Sequence, residues 1–206
     1  MSLESQLKDG LNKIKVTASP QQVEKLLAYI DLLEKWNKIF NLTAIRNKHD
    51  MLQLHIIDSA SIVPYIKGKH HIDVGTGGGL PGVVLAILYP RKNFTLLDSN
   101  GKKTRFLLQV KQILGLTNLK VVHSRVEKYR PENLFDSVIS RAFSSIKDML
   151  DKTQHLCDQH GCFLAMKANT ASAELEKVSA EYSYEIHTID LPDNEAKRCL
   201  VELRHL

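Results

Sequence analysis

Apolar positions in the first third of the chain recur at three- and four-residue intervals. In "SPQQVEKLLAYIDLLEKW", Val23, Leu26, Leu27, Ile30, Leu33 and Trp36 fall on one face of a helix. Ser19 sits at its N-cap, Pro20 at the first helical position and Gln22 three residues after the cap, the signature of a capping box. Similar spacing predicts a further helix from Lys48 to Tyr65, with Ile57 and Ile62 among its buried residues. Past His70 the pattern changes, and short, nearly continuous apolar runs alternate with helical ones. "HIDVG", "NFTLLD", "LKVVH", "FDSVIS" and "CFLAMK" read as five strands. "LPGVVLAILY", stopped by Pro90, and "GKKTRFLLQVKQILG", with Gly115 just past its end, read as helices. So do "SIKDMLDKTQHLCDQHG", stopped by Gly161, and "SAELEKVSAEY". "YEIHTIDL" and "RCLVELRHL" close the chain as two strands with no helix between them, and are expected to pair antiparallel. Alternation of this kind predicts an α/β fold, a mostly parallel, doubly wound seven-stranded sheet with helices on both faces. Residues 1–69 would form a helical extension packed on that sheet, and residues 70–206 one compact unit.

Composition narrows the class. The chain has 206 residues, is 43% hydrophobic and 25% charged, and carries a net charge of +5. That suits a globular protein with a real core, and the basic balance leans toward an anionic partner such as nucleic acid. No apolar run reaches the length of a membrane span, and "MSLESQLKDG" lacks a signal peptide's apolar stretch, so a cytoplasmic location without membrane contact is expected. Cys157, Cys162 and Cys199 are an odd count without metal-ligand spacing and read as reduced core thiols.

The densest chemistry lies in "DVGTGGGLPG", Asp73 to Gly82, with five glycines in ten residues. Each glycine gives up backbone entropy, so the segment must profit from bare backbone. It joins the first strand of the sheet to the following helix, where doubly wound folds bind ligands. No lysine and serine or threonine follow the glycines, which excludes a P-loop. Gly77, Gly79 and Gly82 do match the dinucleotide spacing G-x-G-x-x-G. Asp73, Gly75, Gly77 and Gly79 equally give D-x-G-x-G-x-G. An acid there can accept hydrogen bonds from the loop and favour a cationic ligand such as the amino group of S-adenosylmethionine, and a pyrophosphate would be repelled. Pro81 also removes one N–H from the helix start. Asp98 ends the second strand, where a carboxylate accepts both hydroxyls of a ribose from either cofactor.

Further along, "KWNKIFNLTAI", "HIIDSASIVPY", "TLLDSNGKKTRFL", "HSRVEKY" and "VISRAFSS" join the glycine segment in an ordered set. From about Leu26 to Lys167, with an echo at "KRCLVEL", the chain resembles the bacterial ribosomal RNA small subunit methyltransferase G family, also called glucose-inhibited division protein B. The resemblance implies the Rossmann-like fold of class I methyltransferases. It also implies S-adenosyl-L-methionine as cofactor and N7 of one guanosine in 16S ribosomal RNA as acceptor. Carried over by position, it places Gly75 and Leu80 in the cofactor loop, Asp98 at the ribose, and Val126 and Glu127 beside the adenine. With Asp73, Gly77 and Gly79 from the motif itself, these form the expected cofactor site. Arg141 would face the reaction as the catalytic residue and also touch the cofactor. Lys102, Lys103, Arg125, Lys167 and Arg198 match basic positions and would face RNA. Gly78 and Ala168 depart from the family pattern without removing a polar group. Nothing is transferred to residues 169–193.

Guanine N7 carries a lone pair and no proton, so its methylation needs placement and a suitable field but no general base. The sequence accordingly shows neither a proline-cysteine nucleophile nor an asparagine-proline-proline-tyrosine clamp. The partner would be 16S RNA within the small subunit or a precursor particle, met by a monomer. A nicotinamide-dependent oxidoreductase and a noncatalytic cofactor- or RNA-binding module are the competing classes. His55 and Asp58, three residues apart, either close over the cofactor or make a helix-packing hydrogen bond. Trp36, Asn37, Asn41 and Thr43 read as a structural corner. Lys102, Lys103 and Arg105 crowd a helix start that the dipole makes unfavourable for cations, as phosphate binding or a solvated face would allow.

Overall fold

The capping box forms as predicted. In a computed structural model describing residues 1–168, 172–178, 180–191 and 198–206, helix α1 spans Leu3–Lys13 and α2 spans Pro20–Phe40. The Ser19 hydroxyl accepts the Gln22 N–H, and the Gln22 side chain accepts the Ser19 N–H. The same Gln22 amide donates to the carbonyls of Ile87 and Leu88 at 2.9 Å, closing the end of helix α5 (Gly82–Leu88). One side chain thus caps two helices and ties the N-terminal segment to the sheet.

Lys48–Tyr65 is helical but not continuous. Short α3 (Lys48–Met51) runs into a π turn over Leu52–Ile57, then α4 (Asp58–Ala60) and a 3-10 turn at Val63–Tyr65. Ile57 and Ile62 are buried as expected. Strands β1 (His70–Val74), β2 (Asn93–Asp98), β3 (Leu119–His123) and β4 (Phe135–Ser140) alternate with α5 and with α6 (Gly101–Ile113). Gly115 lies past the end of α6 at φ +59°, the left-handed conformation that glycine adopts without strain.

The sheet order is β3-β2-β1-β4-β5-β7-β6, with β5 at Cys157–Lys167, β6 at Tyr182–Ile189 and β7 at Arg198–His205. Strand β7 inserts between β5 and β6, antiparallel to both. The order reverses between β1 and β4, and the glycine segment leaves β1 at that reversal. Successive β1 side chains alternate faces. Ile72 and Val74 join the apolar cluster of Ile146, Met149 and Leu150 from α7 (Ile146–Thr153). On the other face, Leu7, Leu26, Ile30 and Leu33 share one cluster with Val83, Leu96 and Phe106. The helical extension therefore covers that face of the sheet and packs over α5 and α6.

Two boundaries differ from expectation. The helix expected to run to Gly161 ends at Thr153, and the chain has entered β5 by Cys157. Gly161 lies inside that strand, where the register shifts between Phe135 and Ser137. A Cβ there would stand 2.8 Å from Cys157 Sγ and 2.9 Å from the Phe135 carbonyl, so it is a close-approach glycine and not a helix stop. The helix expected over "SAELEKVSAEY" is reduced to α8 (Ser172–Leu175), and Ser179 lies outside the described residues. No disulfide occurs among the described residues, and burial pushes the Cys157 and Cys162 thiols up to about 12 and about 11.

Candidate active site

The glycine loop binds itself together through nearly every N–H it owns. Gly75 and Thr76 donate to the Leu97 carbonyl, Gly79 and Leu80 to the Thr76 carbonyl, and Val83 to the Gly79 carbonyl. Gly77 donates to Asp98 Oδ2 at 2.9 Å, and Gly82 to Asp73 Oδ2 at 2.8 Å. A pyrophosphate needs a cluster of unbonded N–H groups at this place, and the loop does not offer one. That disfavours the dinucleotide reading.

The loop's residues divide into two sets. Gly75 (φ +69°) is exposed and Gly77 (φ +61°) half-buried; a Cβ at Gly77 would find nothing nearer than Lys103 Nζ at 3.9 Å. The two glycines form a floor of bare backbone, open at Gly77 and close to Ala142 at Gly75, where a Cβ would stand 2.8 Å from the Ala142 Cβ. Gly78, Gly79 and Leu80 are buried on the opposite side. A Cβ at Gly79 (φ +99°) would meet Val83 at 2.5 Å and Leu107 at 2.8 Å. The Tyr29 hydroxyl donates to the Gly78 carbonyl at 2.6 Å. Gly79 and Leu80, expected at the cofactor, therefore face the helices, with their N–H groups already engaged. Asp73 makes the loop hydrogen bonds expected of it but corrects the other half of that expectation. Its side chain is 1% exposed and lies under the loop, accepting from Thr76 Oγ1 and Gly82 N–H. Burial pushes it up to about 6, against the pull of those two donors and of Arg141. It shapes the loop from below and does not stand open to a cationic ligand.

Beyond the glycine floor lies a cleft of about 190 Å³ lined by Gly75, Asp98, Ser124, Val126, Glu127, Ala142 and others. Asp98 holds the loop through Gly77 and its own turn through the Asn100 N–H at 2.8 Å. A carboxylate has about four acceptor positions, so capacity remains toward the cleft. Val74, Leu97, Val126 and Phe143 give apolar walls suited to a flat ring. Bare glycine floor, strand-end acid and apolar slot together fit the nucleoside half of S-adenosylmethionine.

Arg141, directly after β4, turns the other way. It lines a second cleft of about 320 Å³ with Leu54, His55, Asp58, Ile62, Met166, Lys167 and Arg198, while its neighbour Ala142 lines the first. Arg141 was expected at the cofactor too, but its side chain belongs to the second cleft. There it pairs with Asp58 at 2.9 Å. Asp58 also stands 3.4 Å from Arg198 Nε. His55 instead makes the packing contacts: Nε2 meets Thr43 Oγ1 at 2.8 Å and Nδ1 the Leu54 carbonyl at 3.1 Å. Burial and the nearby Arg141 charge hold it down at about 4, so it stays neutral. Asn37 bridges the Ile45 carbonyl and the Thr43 N–H, which makes the expected corner.

The basic residues fall into two groups. Lys167 and Arg198 line the second cleft, Lys167 paired with Glu174 at 2.9 Å. Arg125 lines the first, and Lys103 stands near Gly77, with exposed Lys102 beside it on α6. Sequence reasoning missed Tyr29, Ala142 and the Asp58 pairing with two arginines. Tyr29 sits among the helical-face residues of α2 and carried no signal of its hydrogen bond. Ala142 was within the "SRAF" motif but is chemically silent.

A mostly parallel doubly wound sheet with an antiparallel β7, and an open cleft beside the glycine segment at its switch point, define a class I S-adenosylmethionine-dependent methyltransferase. Solved structures agree on the fold. M. capricolum TrmK with S-adenosyl-homocysteine superposes at a TM-score of 0.56, 19% identical, covering 71% of this chain and 67% of that one. Pyrococcus abyssi tRNA (uracil-54, C5)-methyltransferase, also with S-adenosyl-L-homocysteine, gives 0.57 at 16% identity, covering 77% and 39%. The family described as rRNA small subunit methyltransferase G, GidB, matches residues 22–200, and this chain belongs to it. Ribosomal RNA small subunit methyltransferase G of Saccharophagus degradans is 49% identical over 198 residues, 96% of this chain and 89% of that protein. The Ectopseudomonas mendocina protein of the same name is 48% identical over 202 residues, 97% and 94%.

Proposed function

We propose that this chain transfers the methyl group of S-adenosylmethionine to N7 of a guanosine in 16S ribosomal RNA. It would do so as a cytoplasmic monomer acting on the small subunit or a precursor particle. Family membership supports the reaction class, cofactor and RNA. When bound, the cofactor supplies a sulfonium methyl that passes in line to the N7 lone pair, the C–S electron pair leaving on sulfur. Gly75 and Gly77 offer it bare backbone, Asp98 accepts from its ribose, and Val126 and Glu127 flank its base. No residue need remove a proton, and the neutral His55 ring is already engaged by Thr43 and Leu54.

The observation that carries this reading is the division at the end of β4: Ala142 faces the nucleoside cleft and Arg141 the second, larger one. An acceptor nucleotide in the second cleft, its guanine or a phosphate near N7 held by Arg141, would meet the methyl group at the junction. Lys167 and Arg198 would hold RNA there, and Lys102, Lys103 and Arg125 across the first cleft's rim. The test mixes protein, labelled S-adenosylmethionine and undermethylated small subunits, with naked 16S RNA in parallel, and identifies nucleosides by mass spectrometry. Labelled 7-methylguanosine is expected, with turnover reduced at least about tenfold in Arg141→Ala. A protein that binds cofactor but labels neither subunits, precursor particles nor RNA overturns the proposal, and full turnover in Arg141→Ala overturns the role of Arg141.

A further inference from the structure

Asp58 is a buried charge that the reaction itself does not use. It is 3% exposed, yet it belongs to the wall of the second cleft. Arg141 Nη1 donates to its Oδ2 at 2.9 Å, and Arg198 Nε stands 3.4 Å from its Oδ1. The three side chains come from α4, from the residue after β4 and from the first residue of β7. A buried carboxylate must be paired. One arginine would neutralise it, so the second leaves surplus positive charge in the wall.

The π turn over Leu52–Ile57 adds a second restraint. Within it, the Leu54 carbonyl accepts from the same Arg141 Nη1 at 3.3 Å. Both Nη1 protons are thereby engaged, which fixes the guanidinium plane. The N–H groups on Arg141 Nε and Nη2 make no hydrogen bond among the described residues. Lys167 is held nearby by Glu174 and stands 3.4 Å and 3.3 Å from the Phe143 and Ser144 carbonyls. The same cleft also has apolar lining from Leu54, Ile62 and Met166. Two guanidinium forks with donors to spare match the oxygens of a phosphodiester.

We propose that Asp58 is a positioning residue that sets Arg141 and Arg198 side by side, so that their remaining donors grip one backbone phosphate of the RNA at the acceptor nucleotide. This rests on the methyl-transfer reading above. The carboxylate itself repels a phosphate; what it contributes is orientation. That separation of charge from orientation gives the proposal its test.

Asp58→Asn keeps the shape and removes the charge. With undermethylated subunits, kcat/KM for 7-methylguanosine formation should fall at least about tenfold. Cofactor Kd should stay within about twofold, and equilibrium binding of an unrelated RNA should be unchanged or tighter, because a repelling charge is gone. In an Arg141→Ala background, adding Asp58→Asn should cost less than about twofold more, since the two act as a unit. A kcat/KM within about twofold of wild type overturns the proposal, as does full additivity with Arg141→Ala. So does a loss matched by equal losses of cofactor affinity and melting temperature, which marks a merely structural residue. If Asp58→Asn does not fold, Arg198→Gln, which leaves Asp58 paired with Arg141, should lower kcat/KM about three- to tenfold; no change there overturns it equally. Wild-type protein that forms no 7-methylguanosine marks failure of the methyl-transfer reading, whereas active wild type with unaffected variants marks failure of this inference alone.

Discussion

Replacing Tyr29 by phenylalanine removes one oxygen and leaves the ring in place. The side chain is fully buried, and its hydroxyl donates to the Gly78 carbonyl at 2.6 Å across 49 residues of sequence. Burial raises the phenol well above its ordinary range, so it remains a donor at any working pH. In Tyr29→Phe the carbonyl stays inside the buried part of the loop without that partner. A stranded acceptor of this kind costs about 1–3 kcal/mol. For a chain of this size that is a melting temperature lowered by roughly 2–12 °C. In urea the midpoint should fall at unchanged slope, because the surface exposed on unfolding is the same. A second effect should reach the cofactor. Gly78 adjoins Gly77, whose N–H fixes Asp98, so a relaxed loop loosens both floor and ribose acceptor. Calorimetric titration should show S-adenosylmethionine binding about three- to tenfold weaker, up to the 1.4 kcal/mol that a tenfold change represents. An unchanged midpoint together with unchanged affinity would refute the claim that α2 holds the loop in shape.

Two further outcomes are expected. Asp73 is raised to about 6 in the folded protein from an ordinary 3.8, so its contribution is complete below 3.8 and is lost as pH rises through 6. His55 and His71, both held near 4, act oppositely, and their contribution is lost as pH falls from 6.5 toward 4. The stability advantage of wild type over Asp73→Asn should therefore shrink by up to about 3 kcal/mol between pH 4 and 7; a pH-independent difference in urea titrations contradicts the buried-acid account. Neutralising Lys102 and Lys103 to glutamine should lower the slope of log affinity for RNA against log salt by about 0.7–0.9 per lysine, and an unchanged slope removes them from the RNA-facing surface.

Periodicity settled the elements whose neighbours are local. Helix α2 begins at its capping box because Ser19, Pro20 and Gln22 satisfy one another within one turn, and the buried faces of α2 and α6 follow their own spacing. The same holds for the apolar parallel strands and for the glycine turn, whose composition alone announced a ligand at the end of β1. The ordered motifs added the family, and with it the cofactor and the reaction. What periodicity could not supply were contacts between residues far apart in the chain. Whether a loop glycine faces open space or a helix depends on what lies across from it: a Cβ at Gly77 would meet nothing nearer than Lys103 Nζ at 3.9 Å, while Gly79 is filled in by Val83 and Leu107. Asp73 looked like a ligand contact in sequence, yet α5 and β2 bury it. Gly161 looked like a helix stop until Phe135, on another strand, showed what required it. Asp58, Arg141 and Arg198 carry no common motif spacing, and only the strand order, with β7 inserted beside β5, brings their charges within 4 Å. Local hydrogen bonding and side-chain periodicity are written in adjacent residues; burial, and the charge pairing that burial compels, exist only once distant segments meet.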